Sequence, residues 1–153
     1  MSISFRKIRW IVAGAVLVLV GALAAGTWFR ADAQVGDQRT RLGLSDEEKL
    51  VRTEMLPNLP GKRITVTVVS YAPGQKSGSH HHPGSVVAYV LSGAIRSENS
   101  ATGPVKVYKA GESFFEPPGS RHLVSENASA KEPARLLAVH VADDGARLTT
   151  FDK

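Results

Sequence analysis

The stretch Gly74-Gln-Lys-Ser-Gly-Ser-His80-His81-His82-Pro83-Gly84 contains three of the five histidines of this 153-residue chain. A fourth, His122, follows a second segment that is punctuated by glycine and proline. Neutral imidazole is the most common protein ligand of divalent transition metals. Residues i and i+2 of a strand point to the same side, so His80 and His82 could bind one ion together while His81 faces the other way. The pattern predicts a metal site.

Short runs of β-branched and aromatic residues, separated by turn signals, fill the chain from Lys62 onward. About eight short strands favour an all-β fold, either a closed barrel or a double-sheet jelly roll, because both protect the exposed edges of a sheet. No cysteine is present, so no disulfide can stabilise the domain. The predicted strands are residues 63–71, 80–82, 86–91, 94–98, 105–108, 113–116, 121–126 and 134–142.

Residues 34–61 are predicted to form a linker followed by a short helix, and residues 62–153 are predicted to form the β-barrel domain. Ser45 is the predicted N-cap of that helix, and Glu48 occupies the capping-box position three residues later. Apolar residues follow at helical spacing, and Pro57 is expected to end the helix.

The N-terminus has the pattern of a targeting segment. Three basic residues within residues 6–9 precede an uncharged run at residues 10–29, and Ala31-Asp32-Ala33 has the small-x-small form of a cleavage site. Residues 1–33 are therefore either a signal peptide cleaved near Ala33 or a retained anchor in the inner membrane, since the run approaches the roughly 20 residues that span a bilayer. Both alternatives predict an exported, periplasmic domain.

The charge balance gives no indication of a nucleic-acid-binding protein. The net charge of the whole chain is +5, but removal of residues 1–33 takes away four basic residues and one acidic residue and lowers it to +2. No basic run remains in the exported part, so nucleic-acid binding is not expected. Contact with a membrane is expected only through the N-terminal segment.

Two spaced patterns of glycine, proline and histidine resemble the two motifs of the cupin superfamily. The first, G-x5-H-x-H-x3,4-E-x6-G, is matched by Gly74, His80, His82 and Gly93. The second, G-x5-P-x-G-x2-H-x3-N, is matched by Gly111, Pro117, Gly119 and His122, with Glu126 where the family has Asn. The resemblance covers residues 62–142. It implies a cupin-type jelly-roll barrel that holds one divalent transition metal (Fe, Ni, Mn, Cu or Zn) through His80, His82 and His122.

The chain departs from the first motif at one position. The motif glutamate should fall at residue 86 or 87, and both of these residues are valine. Three alternatives follow. The site could have three histidines with water in the open positions, a carboxylate could come from elsewhere, with Glu116 as the best candidate, or the barrel could bind a small molecule without a metal.

The sequence leaves the activity open between two classes. The resemblance implies a quercetinase-like dioxygenase or another metal-dependent enzyme such as an isomerase or lyase, in which Glu116 or His140 would supply the base. The alternative is a periplasmic protein that binds a ligand or metal without turnover. A small molecule is the expected ligand in the barrel, and a homodimer is expected because family members often dimerise.

Overall fold

The computed structural model of this chain describes residues 37–153. The predicted signal peptide or anchor at residues 1–33 lies outside the described residues. Within the part that is described, no helix has the length and apolar character needed to cross a membrane. The domain is all-β, as predicted, and consists of a short helix α1 at residues 37–42 and the strands β1 (Glu48–Met55), β2 (Lys62–Tyr71), β3 (Lys76–Ser77), β4 (His80–His81), β5 (Ser85–Ser92), β6 (Ala94–Asn99), β7 (Gly103–Lys109), β8 (Ser113–Glu116), β9 (Arg121–Asn127), β10 (Ala134–Asp143) and β11 (Thr150–Phe151).

The strands form two antiparallel sheets of a jelly roll. The first sheet has the order β1-β2-β10-β5-β8, and the second has the order β11-β4-β9-β6-β7, with β3 also paired to β9. The inward residues of β5 alternate with outward ones: Val86, Ala88 and Val90 are buried, whereas Val87 and Tyr89 are exposed. These inward side chains pack with Ile95 and Leu136 of other strands, among others, to form the main core.

The predicted helix after Ser45 is wrong, because residues 48–55 form the edge strand β1. Pairing with β2 along nearly its whole length satisfies the backbone of this segment and overrides the local helix signal. The contact expected of a capping box nevertheless exists. The Ser45 backbone N–H donates to Glu48 Oε2 at 2.9 Å, but it does so in the turn that leads into a strand. The predicted linker also contains α1, and Leu42 at its end is buried against Leu148 and Ala142.

Two glycines lie where a side chain would collide with the neighbouring backbone. A Cβ atom on Gly84 would lie 2.1 Å from the carbonyl oxygen of Val141, so no larger residue fits between β4 and β5 without displacing β10. Gly93 has a φ of 71° in the turn from β5 to β6, which L-residues with side chains rarely adopt. These contacts give a steric reason for glycine at both positions.

Candidate metal centre

Four buried side chains converge inside the barrel. His80, His82, Glu116 and His122 each offer a ligand atom, and these atoms lie within 4.8 Å of one another. His80 is on β4 and His82 directly follows it, Glu116 ends β8, and His122 is on β9. The cluster therefore joins residues from three separate segments of the sequence and includes all three histidines predicted as ligands.

Strand pairing brings the histidines of the two motifs together. His80 and His122 are direct partners in the antiparallel pairing of β4 with β9, and their ring centroids are 5.0 Å apart. The ring of His82 also lies 5.0 Å from that of His80. His81 points out of the barrel, as the alternation predicted, and its Nδ1 lies 3.5 Å from Asp152.

Hydrogen bonds outside the cluster orient the imidazole rings. The Nδ1 atoms of His80 and His82 lie 2.7 Å from the carbonyl oxygens of Gly78 and Leu148. Because a carbonyl only accepts, each Nδ1 carries the proton and each Nε2 keeps its lone pair for a metal in the neutral tautomer. His122 is turned the other way, with Nε2 2.8 Å from Ser97 Oγ and Nδ1 facing Glu116.

The atoms that face the centre of the cluster fit a metal ion. Glu116 Oε2 lies 2.9 Å from His122 Nδ1 and 3.7 Å from His82 Nε2. Despite the short first distance, neither Glu116 Oε2 nor His122 Nδ1 has a hydrogen bond of acceptable geometry within the described residues, although both atoms are buried. A divalent ion would satisfy both atoms. Three imidazoles and one carboxylate suit the mid-to-late first-row metals from Mn(II) to Zn(II).

The electrostatics keep His80 and Glu116 in their metal-binding forms. Burial lowers the pKa of His80 to about 4, so its ring is neutral at physiological pH. Burial alone would raise the pKa of Glu116, but the adjacent His122, together with His82 and His80, outweighs burial and lowers it. A neutral imidazole and an ionised carboxylate are the protonation states in which these two side chains bind a metal.

Glu116 lies beside the position at which the first motif lacks its glutamate. Val86 is buried and faces the barrel interior, whereas Val87 faces outward, so Val86 occupies the inward motif position. Val86 is the direct cross-strand partner of Glu116 in the pairing of β5 with β8. Of the three alternatives left open by the sequence, this geometry agrees with the second, in which Glu116 supplies the carboxylate.

The cluster opens onto a cavity of about 60 Å³. This volume is well below the roughly 300–1,000 Å³ of pockets that enclose drug-sized ligands, so the space suits a small ligand. An outer chamber of about 220 Å³ shares Tyr71, Ser77 and Phe151 with it, among other residues, and also contains Glu47 and Lys76. Apolar side chains, including Val86, Phe114 and Leu136, form much of the inner wall.

His140 lies on β10 in the wall of the inner cavity, outside the four-residue cluster. Its ring centroid is 5.2 Å from that of His82, and neither ring nitrogen has a hydrogen-bond partner in the described part of the chain. Both nitrogens are buried, so the structure leaves this imidazole without a protein partner among the described residues. Burial lowers the pKa of His140 to about 3, which keeps the ring neutral. Its role as a base stays a prediction.

Sequence reasoning missed Glu48, whose buried side chain also lines the inner cavity. The signal that could have found it was present, because Ser45 and Glu48 form the expected hydrogen bond. The helix prediction, however, assigned that glutamate to the start of a short helix outside the β-barrel domain.

The comparison with known families agrees with this architecture. The cupin domain family matches residues 67–140, which contain both histidine motifs. The chain is therefore a small protein of the cupin superfamily. No curated protein matches it in sequence.

Solved structures share the fold at low sequence identity. A cupin-like protein from Thermotoga maritima is 19% identical with a TM-score of 0.55, and the alignment covers 69% of this chain and 74% of that protein. The DMSP lyase DddQ from Ruegeria pomeroyi is 19% identical with a TM-score of 0.50 over 57% of this chain. A structure of the DMSP lyases RdDddP and RnDddQII is 21% identical with a TM-score of 0.50 over 59% of this chain. The aligned part spans only 42% and 44% of the two lyase chains, and the likeness concerns the fold.

Proposed function

We propose that this chain is a metal-dependent cupin enzyme that acts on a small, oxygen-bearing substrate by proton transfer, as an isomerase or lyase. The carrying observation is that the His80, His82, Glu116 and His122 cluster opens onto a small cavity that also holds ionisable side chains outside the cluster. A divalent ion held by these four residues would act as a Lewis acid toward a substrate carbonyl or carboxylate oxygen.

The remaining wall residues have separate tasks in this proposal. Val86, Phe114 and Leu136 give the inner cavity an apolar wall, which lowers the local dielectric and strengthens electrostatic interactions with a bound substrate. Neutral His140, with both nitrogens unpartnered, can donate one hydrogen bond and accept another, and so orients a substrate hydroxyl or carbonyl group.

A dioxygenase of the quercetinase type is the second candidate, since the same donor set also suits Fe(II) and Ni(II). The inner cavity of about 60 Å³ is small for a three-ring flavonol, which would have to extend through the outer chamber. The cavity size thus favours a smaller substrate. Export, a homodimer and a tethered or soluble state in the periplasm remain proposals from the sequence.

Metal content tests the centre directly. The full chain, purified without a histidine tag, is expected to carry about one equivalent of a transition metal by mass spectrometry, and a His80→Ala/His122→Ala variant is expected to carry none. His81→Ala is the matched control, because His81 lies in the same triplet but points outward, and its metal content should equal that of the wild type.

Turnover separates the candidate functions. The loaded protein should interconvert or cleave small hydroxy-carbonyl compounds without consuming oxygen. Oxygen consumption with catechols, diketones or flavonols would support the dioxygenase instead. Metal binding without any turnover would favour a binding protein, and a wild type that takes up no metal would overturn the metalloenzyme.

A further inference from the structure

Glu48 brings a second carboxylate to the inner cavity. It is the first residue of β1, it is only 8% exposed, and its side chain lines the same 60 Å³ space as the metal cluster. It does not belong to that cluster. In a cavity of this size, a substrate that contacts the cluster also lies near the other wall residues.

The Glu48 carboxylate has a hydrogen-bond donor nearby but no basic partner among the described residues. Among the described residues, Ser45 is the hydrogen-bond donor to this carboxylate: its backbone N–H donates to Oε2 at 2.9 Å, and its side chain also bonds to the carboxylate. No ion pair within the described residues includes Glu48. Ser45 therefore fixes the carboxylate in the cavity wall, and no described basic residue forms an ion pair with it, so Glu48 is a positioned carboxylate without a charged partner.

We propose that Glu48 is the residue that takes and returns the proton in the reaction of this site, with a substrate that carries a C–H bond next to a carbonyl or carboxylate. The inference rests on the proposed metal-dependent function. The C–H bond breaks, the proton moves to the Glu48 carboxylate, and the electron pair stays on the substrate as an enolate whose oxygen faces the histidine cluster. In an isomerase, the glutamic acid then returns the proton to the neighbouring carbon of the enolate. In a lyase, the electron pair of the enolate forms a C=C bond as the bond to the β leaving group breaks, and the proton goes to the departing group; both routes regenerate the carboxylate.

The protonation behaviour of the two cavity residues outside the cluster favours Glu48 over His140 for this task. Burial raises the pKa of Glu48, and although Ser45 and His82 act in the opposite direction, burial outweighs them. Burial lowers the pKa of His140 to about 3. A proton-transfer group works best when its pKa lies near the operating pH. Burial moves the pKa of Glu48 toward pH 7 and moves the pKa of His140 away from pH 7.

Deuterium exchange tests the proposal in the metal-loaded full chain. Pyruvate, dihydroxyacetone and lactate serve as probes in heavy water, and mass spectrometry follows the uptake of deuterium at carbon. Glu48→Gln keeps an oxygen that accepts the Ser45 hydrogen bond, retains the metal, and should lower the exchange rate by about 100-fold or more. The matched control is Glu54→Gln, which removes an exposed carboxylate from the same strand and should exchange at the wild-type rate.

Binding of oxalate gives a readout that needs no turnover. Oxalate is a planar anion that resembles the enolate, and its negative charge should raise the proton affinity of Glu48. Titration calorimetry in two buffers of different ionisation enthalpy should show the uptake of about one proton by the wild type and none by Glu48→Gln, which should still bind oxalate.

The outcomes separate the two proposals. If the wild type exchanges and Glu48→Gln exchanges within about threefold of it, or if the proton uptake persists in the variant, Glu48 is not the proton-transfer residue while the proposed function stands. If the metal-loaded wild type neither exchanges any of the probes nor binds oxalate, both proposals are overturned.

Discussion

Val86 and Glu116 are direct partners on neighbouring antiparallel strands, with both side chains inside the barrel. The strand that carries the first histidine motif into the sheet thus has an apolar residue where a metal-binding carboxylate is usual, and the adjacent strand has the carboxylate. Cβ atoms of directly opposed residues are about 4.5–5.5 Å apart, so the carboxylate is displaced sideways by one strand and stays within reach of the histidines.

This relationship predicts that the carboxylate can be moved back. Glu116→Val should weaken metal binding by at least about tenfold, because the cluster loses its anionic donor. The exchange variant Val86→Glu/Glu116→Val should recover most of the affinity, since it restores one valine and one carboxylate to the same pair. Competition with a metal-sensitive dye would measure both, and equal affinity of Glu116→Val and the wild type would contradict a ligand role for Glu116.

The metal-free protein should lose stability as the pH falls from 7 to 4. Unfolded histidine binds a proton near pH 6.5, whereas burial lowers the pKa of native His80 to about 4. Between these values the unfolded state holds more protons, so acid favours unfolding, and the free energy of unfolding falls by about 3 kcal/mol from His80 alone. Urea unfolding at several pH values measures this slope. A His80→Asn variant should show a shallower slope, and a flat profile in the wild type would refute the prediction.

His140→Leu should stabilise the protein while it impairs function. The buried imidazole has two nitrogens without a hydrogen-bond partner among the described residues, and an unsatisfied buried polar group costs about 1–3 kcal/mol. Replacement by a side chain of similar volume should raise the free energy of unfolding by about 1–2 kcal/mol in denaturant titrations. Activity should fall at unchanged metal content. A destabilised variant would mean that His140 has a structural partner.

Phe151→Ala should speed the release of the metal. Phe151 lines both the inner cavity and the outer chamber, and its ring centroid is 5.6 Å from that of His80. Removal of the ring opens the path between the two spaces, so a chelator should extract the metal several times faster, although the initial metal content is unchanged. Tyr89→Ala, which truncates an exposed aromatic residue on the outer face of β5, is the control. Equal release rates in all three proteins would exclude this gating role.

The eight strands expected from the sequence were found because their signals are local. Alternation in β5 and the turns at Pro83-Gly84 and Ser92-Gly93 act over a few residues, and the structure places strands where these signals predict them. The short strands β3 and β11 have no such signal, because two residues become a strand only through their partners β9 and β4.

The wrong helix prediction after Ser45 also arose because strand pairing is not visible in the local sequence. Ser45 and Glu48 satisfy a local rule for a helix start, and the hydrogen bond of that rule forms, but β2 pairs with the residues that follow. The residues of the site also differ in how far the local sequence could locate them. The motifs located the three histidines, whereas the closeness of Glu116, Glu48 and His140 depends on strands far apart in sequence.

The distribution of the four cluster residues between the two sheets has a consequence for the mechanics of the domain. His80 and His122 belong to one sheet and Glu116 to the other. An ion bound by all of them would act as a cross-link between the two layers, in a chain that has no cysteine to form a disulfide. Unlike a disulfide, this cross-link would be indifferent to thiol reductants and would break when a chelator removes the ion. The link between the two sheets would therefore depend on the availability of the metal and not on the redox state of the compartment.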